Sequence, residues 1–435
     1  MPLKLSKFCA SVERIAWAKA SGCPWTPRRG SGDRGPCSFA AAGGHLEVLK
    51  WARAHGGQWE MTCQRAAMGG HLEVLRWARE QGCVWDGMTC AYAAGGGHLE
   101  LLQWAREQGC EWDERTCQGA AQGGHLEVLQ WVREQGCEWD AGTSFGAAGR
   151  GHLEVLQWAQ AHGCDWDTGT CASAAEGGHL EVLQWAREHG CEWDVNTCAY
   201  AARGGHLEVL RWAREHGCEW DSLTCQAAAQ GGHLVVLQWA RGQGCEWTQR
   251  TCSCAALGGH LEVLQWSREH GCELDEMTCA GAAQGGHLEV LQWAREQGCE
   301  WDANTCAYAA KGGHLEMLQW ARENGCPWDE RTCHAAAEGG HLEVMRRARE
   351  HGCPWYPVSC ASAAMESGHP EMQRWVFDHV YPWLNFLSGW SGPGTPRCRD
   401  WLSSCYPGGH GYRSENQARV AEYTHSSHTR LAQRG

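Results

Sequence analysis

Apolar runs are short throughout this 435-residue chain: none reaches the roughly 18 residues of a membrane-spanning helix. The N-terminus lacks the apolar segment of a secretory signal. No stretch alternates β-branched and polar residues for long enough to make a strand. These absences point to an all-helical protein inside the cell, by default in the cytoplasm. Basic residues are few over most of the chain: residues 45–383 carry 24 Lys and Arg against 46 Asp and Glu, a net charge of −22 compared with −14 for the whole. Such a field repels a phosphate backbone, which argues against nucleic acid, and favours a basic protein partner. It also keeps a long array soluble. Residues 1–44 reverse the balance with seven basic residues against two acidic, which leaves a transit-peptide reading open.

What the chain has in abundance is repetition. Gly-His-Leu recurs with histidines at His45, His71, His98, His125, His152, His179, His206, His233, His260, His287, His314 and His341, and a variant follows at His369. The interval is 27 residues, after a first step of 26 and before a last of 28. A period in this range means units that bury their apolar faces on their neighbours.

Cys110–Gly136 serves as the type unit. Asp113 suits an N-cap, and a short helix can run through Thr116, Cys117, Ala120 and Ala121 until Gly123 and Gly124 end it. A second helix from about His125 to Gln135 places Leu126, Val128, Leu129, Trp131 and Val132 on its apolar side and Glu127, Gln130 and Glu134 on a polar stripe. Gly136 supplies a left-handed stop. Gly-His followed by Trp-Asp also marks a propeller blade, but a blade needs about 40 to 45 residues and four strands, and tetratricopeptide units are near 34.

From Ala120 to Asp140 the run Ala-Ala-x-Gly-Gly-His-Leu-Glu-Val-Leu-x-x-x-x-Glu-x-Gly-Cys-x-x-Asp resembles the ankyrin repeat. Thr116-Cys117 falls at the Pro-Leu of that family's Thr-Pro-Leu-His box, and His334 supplies the box histidine in one unit. A full ankyrin unit of about 33 residues has some six more between Asp113 and Thr116, where its β-hairpin loop projects. The resemblance therefore implies an all-α, right-handed-type helical solenoid of stacked short ankyrin-like helix-turn-helix repeats, with about 13 helix pairs and no hairpin. Three segments follow: 1–44, a partial N-terminal repeat (residues 12–25 resembling a second helix) with a flexible basic insertion at 26–36; 45–383, the array; and 384–435, a Gly/Ser/Pro/Arg-rich tail of little order.

The 28 cysteines sit mostly at two places in the unit, as in Cys110 and Cys117. Six residues between them is too many for the usual zinc pair. Read as same-turn pairs they fail where Ser144 stands opposite Cys137 and Gly57 opposite Cys63, so no obligatory bridge is expected and the thiols read as small core hydrophobes. The two tryptophans per unit read as a core ladder. Trp212 is expected to be buried between units, with Trp212→Ala costing roughly 3–5 kcal/mol. Leu274 and Arg347 mark units where the ladder is broken. The Gly-His histidines read as helix-start caps.

Function is sought where units differ. In the first helix the variable positions are Arg65, Tyr92, Gln118, Phe145, Tyr200, Gln226 and Tyr308; after Ala-Ala they are Met68, Gln122, Glu176, Arg203, Gln230, Leu257, Lys311 and Glu338. By the ankyrin resemblance these line a partner-binding face. Tyr92, Tyr200 and Tyr308 recur every 108 residues, as an interaction stripe or the trace of block duplication. No nucleophile, base and orienting group stand apart from the repeats. The reading is a protein-binding scaffold or adaptor that is not an enzyme and needs no cofactor or metal. A metal- or redox-responsive cysteine array and a non-catalytic subunit of an enzyme complex are the alternatives.

Overall fold

The structure, a computed structural model, describes residues 9–21 and 35–380. It holds a lone helix, Val12–Ala20, followed by thirteen helix pairs from Pro36–Ala42 with Leu46–Ala54 to Pro357–Ser367 with Pro370–Val380. No strand occurs among the described residues. The chain is an all-α helical repeat solenoid. The expected insertion falls outside the described residues except at its end, where Pro36 opens the first helix of the first pair instead of belonging to a loop. The tail at 384–435 lies wholly outside them.

Local chemistry shapes each pair. The Asp113 carboxylate accepts from the Arg115 backbone N–H at 3.1 Å, and the helix Glu114–Gly123 then ends on Gly124 at φ 75°. The second helix, Leu126–Glu134, stops before Gly136 at φ 77°. Only glycine takes such a backbone cheaply, which explains its return at both turns of every unit.

Successive first helices pack on one another more extensively than on their own second helices. Their small residues allow it. A Cβ built at Gly123 would lie 2.4 Å from the Gly95 carbonyl oxygen, and one at Gly204 would lie 2.4 Å from that of Glu176, so these backbones touch. Second helices contribute the larger core residues: in Leu207–Glu215 the buried side chains are Val209, Leu210 and Ala213, on one face. Among the described residues the cysteines other than Cys254 are buried with the same alanines, valines and leucines.

Two contacts that join neighbouring units differ from the expected ones. Each Gly-His histidine sits at the N-cap position, but its side chain does not cap its own helix. It reaches back to the previous unit instead: Nε2 of His71 donates to the Ala42 carbonyl at 3.2 Å, His98 to Met68 at 3.2 Å and His260 to Gln230 at 3.0 Å. A helix C-terminus leaves carbonyls unpaired, and the imidazole satisfies one of them.

The tryptophans are the second correction. Among the described residues the repeat tryptophans are partly buried against the core instead of within it, one on the second helix and one in the turn after it, and Trp17 is exposed. Trp212 meets Trp193 edge-on at 5.8 Å and carries the His216 ring stacked at 4.3 Å. The adjacent arginine was not anticipated. Arg214 lies 4.3 Å over Trp220 and also donates to the Cys218 carbonyl, clamping the turn that leads to the next pair. Leu274 still packs against the core where tryptophan is missing, and Arg347 turns outward to ion pairs with Glu343 and Glu350.

Burial holds His125, His179, His233, His287 and His341 below the usual histidine range; neighbouring ladder histidines push the same way, while the carbonyl bonds oppose. Because the folded value lies below the unfolded one, near 6.5, this stability is present above that pH and is lost as pH falls through the folded value. Thermal melts should therefore give a lower midpoint at pH 5.5 than at 7.5. An equal or higher midpoint at 5.5 would remove the ladder from the account of stability.

Candidate partner-binding face

The variable positions in the first helices are the first, second and fifth residues after the cysteine, i, i+1 and i+4, which at about 100° per residue fall within an arc of roughly 100° on one side of each helix. None of the fifteen is buried. Met68, Gln118, Gln122, Glu176, Tyr200, Arg203, Lys311 and Glu338 are exposed, and Arg65, Tyr92, Phe145, Gln226, Gln230, Leu257 and Tyr308 are half-buried. The constant alanines and cysteines beside them are buried.

Stacking brings some of these residues together across units. Lys311 Nζ meets Glu338 Oε1 at 2.7 Å, joining equivalent positions of neighbouring first helices. Both side chains are about half exposed, so the pair contributes little to stability. Gln122, Phe145 and Glu176 line one groove that crosses three successive first helices. The same groove is lined by Gly146, Gly149, Arg150 and Ser173, which the sequence reading did not select. Their signal was present: Ser144–His152 departs from the unit plan at several positions, with Arg150 in place of the first glycine of Gly-Gly. Missing side chains at Gly146 and Gly149 open the groove there.

Other members of the set have neighbours of their own. Arg65 Nη1 lies 3.5 Å from the Met68 sulfur. Gln226 Nε2 donates to Ser222 Oγ at 3.3 Å and to Thr248 Oγ1, the next N-cap, at 3.5 Å. The same position in an earlier unit, Gln64, donates to both carboxylate oxygens of the N-cap Asp86 at 3.1 and 3.2 Å. Glutamine here links one first helix to the start of the next, a task that the contrast between constant and variable positions does not reveal. Tyr92 and Tyr308 are partly exposed and Tyr200 is 37% exposed, so all three stand at the surface of their first helices.

Among the described residues, no group of three or more His, Cys, Asp or Glu is placed to hold a metal ion. No helix among them is long and apolar enough to cross a membrane.

The repeated helix pairs fit an ankyrin-like protein. Among solved structures, the crystal structure of the human ASB11 ankyrin repeat domain is similar at 18% identity, over 36% of this chain and 84% of that one, with a TM-score of 0.30. No family model matches the chain, and no curated protein matches it. The fold assignment rests on the chain's own helix pairs and their stacking.

Proposed function

We propose that the chain is a non-catalytic protein-binding scaffold or adaptor, built from short ankyrin-like units that lack the hairpin loop and acting inside the cell. One observation carries this reading: none of the fifteen variable positions on the first-helix face is buried, while the constant threonines, cysteines and alanines of the same helices are. An array that repeats its core and changes one face is suited to recognition along that face. The short unit is supported by the link between Glu134 and Ala141, which contains no strand and has no room for a hairpin. The acidic body favours a basic protein as partner.

Tyr200→Ala tests the reading. With 37% of its surface exposed, Tyr200 should give up less than about 1 kcal/mol of stability when truncated. Partner capture by the purified array should fall for Tyr200→Ala and for Arg203→Ala, and should be unchanged for Glu208→Ala on the second-helix side. Loss of capture only with Glu208→Ala would move the interface to the other face.

A further inference from the structure

The cysteines pair across twenty residues, not across the seven that separate them in one turn. Cys63 Sγ lies 2.8 Å from Cys83 Sγ, and Cys252 Sγ lies 2.6 Å from Cys272 Sγ. Thiol-to-thiol hydrogen bonds at the same spacing join Cys90 to Cys110 and Cys117 to Cys137, and continue to Cys333 and Cys353. Ten pairs result among the described residues. Each joins a first helix to the turn that follows its own second helix. Ser144 and Gly57 therefore do not bear on Cys137 and Cys63, since Cys137 faces Cys117 and Cys63 faces Cys83.

The sulfurs of Cys63 and Cys83 and of Cys252 and Cys272 already lie well inside the separation of two non-bonded sulfur atoms, so a movement under about 1 Å would bring either pair to the roughly 2.05 Å of a disulfide. We propose that the ten buried pairs are reversible disulfide sites, oxidised by exchange with a low-molecular-weight disulfide, which staple each first helix to the turn leading into the next unit. The chemistry within a pair is asymmetric. The Cys63 thiol donates to Cys83 and pushes it toward the thiolate, helped by Arg79 and opposed by burial, while Cys63 itself is pushed up.

The Cys83 thiolate attacks one sulfur of the small disulfide, forming a mixed disulfide and releasing a thiolate that takes up a proton. Cys63 then loses its proton, attacks Cys83 Sγ and expels the second small thiolate, which is protonated in turn. Two protein thiols are oxidised and one small disulfide is reduced to two thiols. Because Cys63 and Cys83 are 2% and 0% exposed, exchange proceeds through local opening of a unit.

The chain contains its own controls. Ser144 stands where Cys164 would find its partner and donates to that sulfur at 3.5 Å. Gly57 takes the partner position for Cys37, whose sulfur lies 2.7 Å from where a Cβ would be. The proposal extends to regulation and is independent of which face binds a partner.

The test uses the full chain, reduced and then incubated with oxidised glutathione, alkylated, and digested without reduction. Cross-linked peptides should join cysteines twenty residues apart, with the mass of two hydrogens lost per bridge, and Cys164 should remain alkylated. Ser144→Cys should add one further link, to Cys164. The oxidised protein should melt more than about 5 °C higher, returning to its starting midpoint in dithiothreitol. Thiols that stay free, that carry glutathione without cross-links, or that bridge within one turn as Cys110 to Cys117 would each overturn the proposal.

Discussion

Leu210→Ala should destabilise the array by about 2–5 kcal/mol, measured by urea unfolding followed by far-UV circular dichroism. Leu210 is fully buried on the second helix and is flanked by Val209 and Ala213, also buried. Removing its branched end leaves a cavity between backbones whose approach is fixed by small residues, so neighbours have little room to collapse into it. Trp212→Ala should cost less, although tryptophan is the larger side chain. Trp212 is only partly buried against the core, and its ring partners Trp193 and His216 are not buried either. A larger loss at Trp212 than at Leu210 would return the tryptophan ladder to the core.

Gly204→Ala should lower stability by roughly 1–3 kcal/mol, the usual range for overpacking. The sign is the informative part. In a solvent-exposed helix interior, replacing glycine by alanine stabilises by about 1 kcal/mol, since alanine loses less backbone freedom. Here the added methyl would stand 2.4 Å from the Glu176 carbonyl oxygen and 2.5 Å from His206 Cδ2. The imidazole could rotate away, whereas the carbonyl belongs to the backbone of the neighbouring first helix. The two units must separate, which weakens the alanine and cysteine contacts on both sides. Stability equal to or above that of the parent would mean that first helices do not stack backbone to backbone.

Much of a single unit was legible. Asp113 caps its helix, Gly124 and Gly136 take left-handed backbones, and the apolar spacing of Val128, Leu129 and Val132 marks the buried side of the second helix. These depend on interactions within a few residues of one another, and a pattern of that range survives in a linear reading. The period itself settled that the architecture is an array, because identical faces recurring every 27 residues can bury one another only by stacking.

The candidate face was legible in part, through the contrast of constant and variable positions. Gly149 escaped it because it contributes by leaving space, and an absent side chain is visible only against its neighbours in three dimensions.

Tertiary structure decided the partners of the repeated residues. The sequence by itself determined helix type, caps, turns and the fact of stacking. It could not determine that His71 bonds the Ala42 carbonyl, or that Cys63 meets Cys83 and not a neighbour in its own turn. Those contacts span 29 and 20 residues. In a periodic chain every histidine or cysteine has many equivalent candidates at multiples of the repeat, so composition and spacing leave them degenerate. Only the offset between neighbouring units, set by how closely their glycine- and alanine-lined backbones approach, selects one partner from that set.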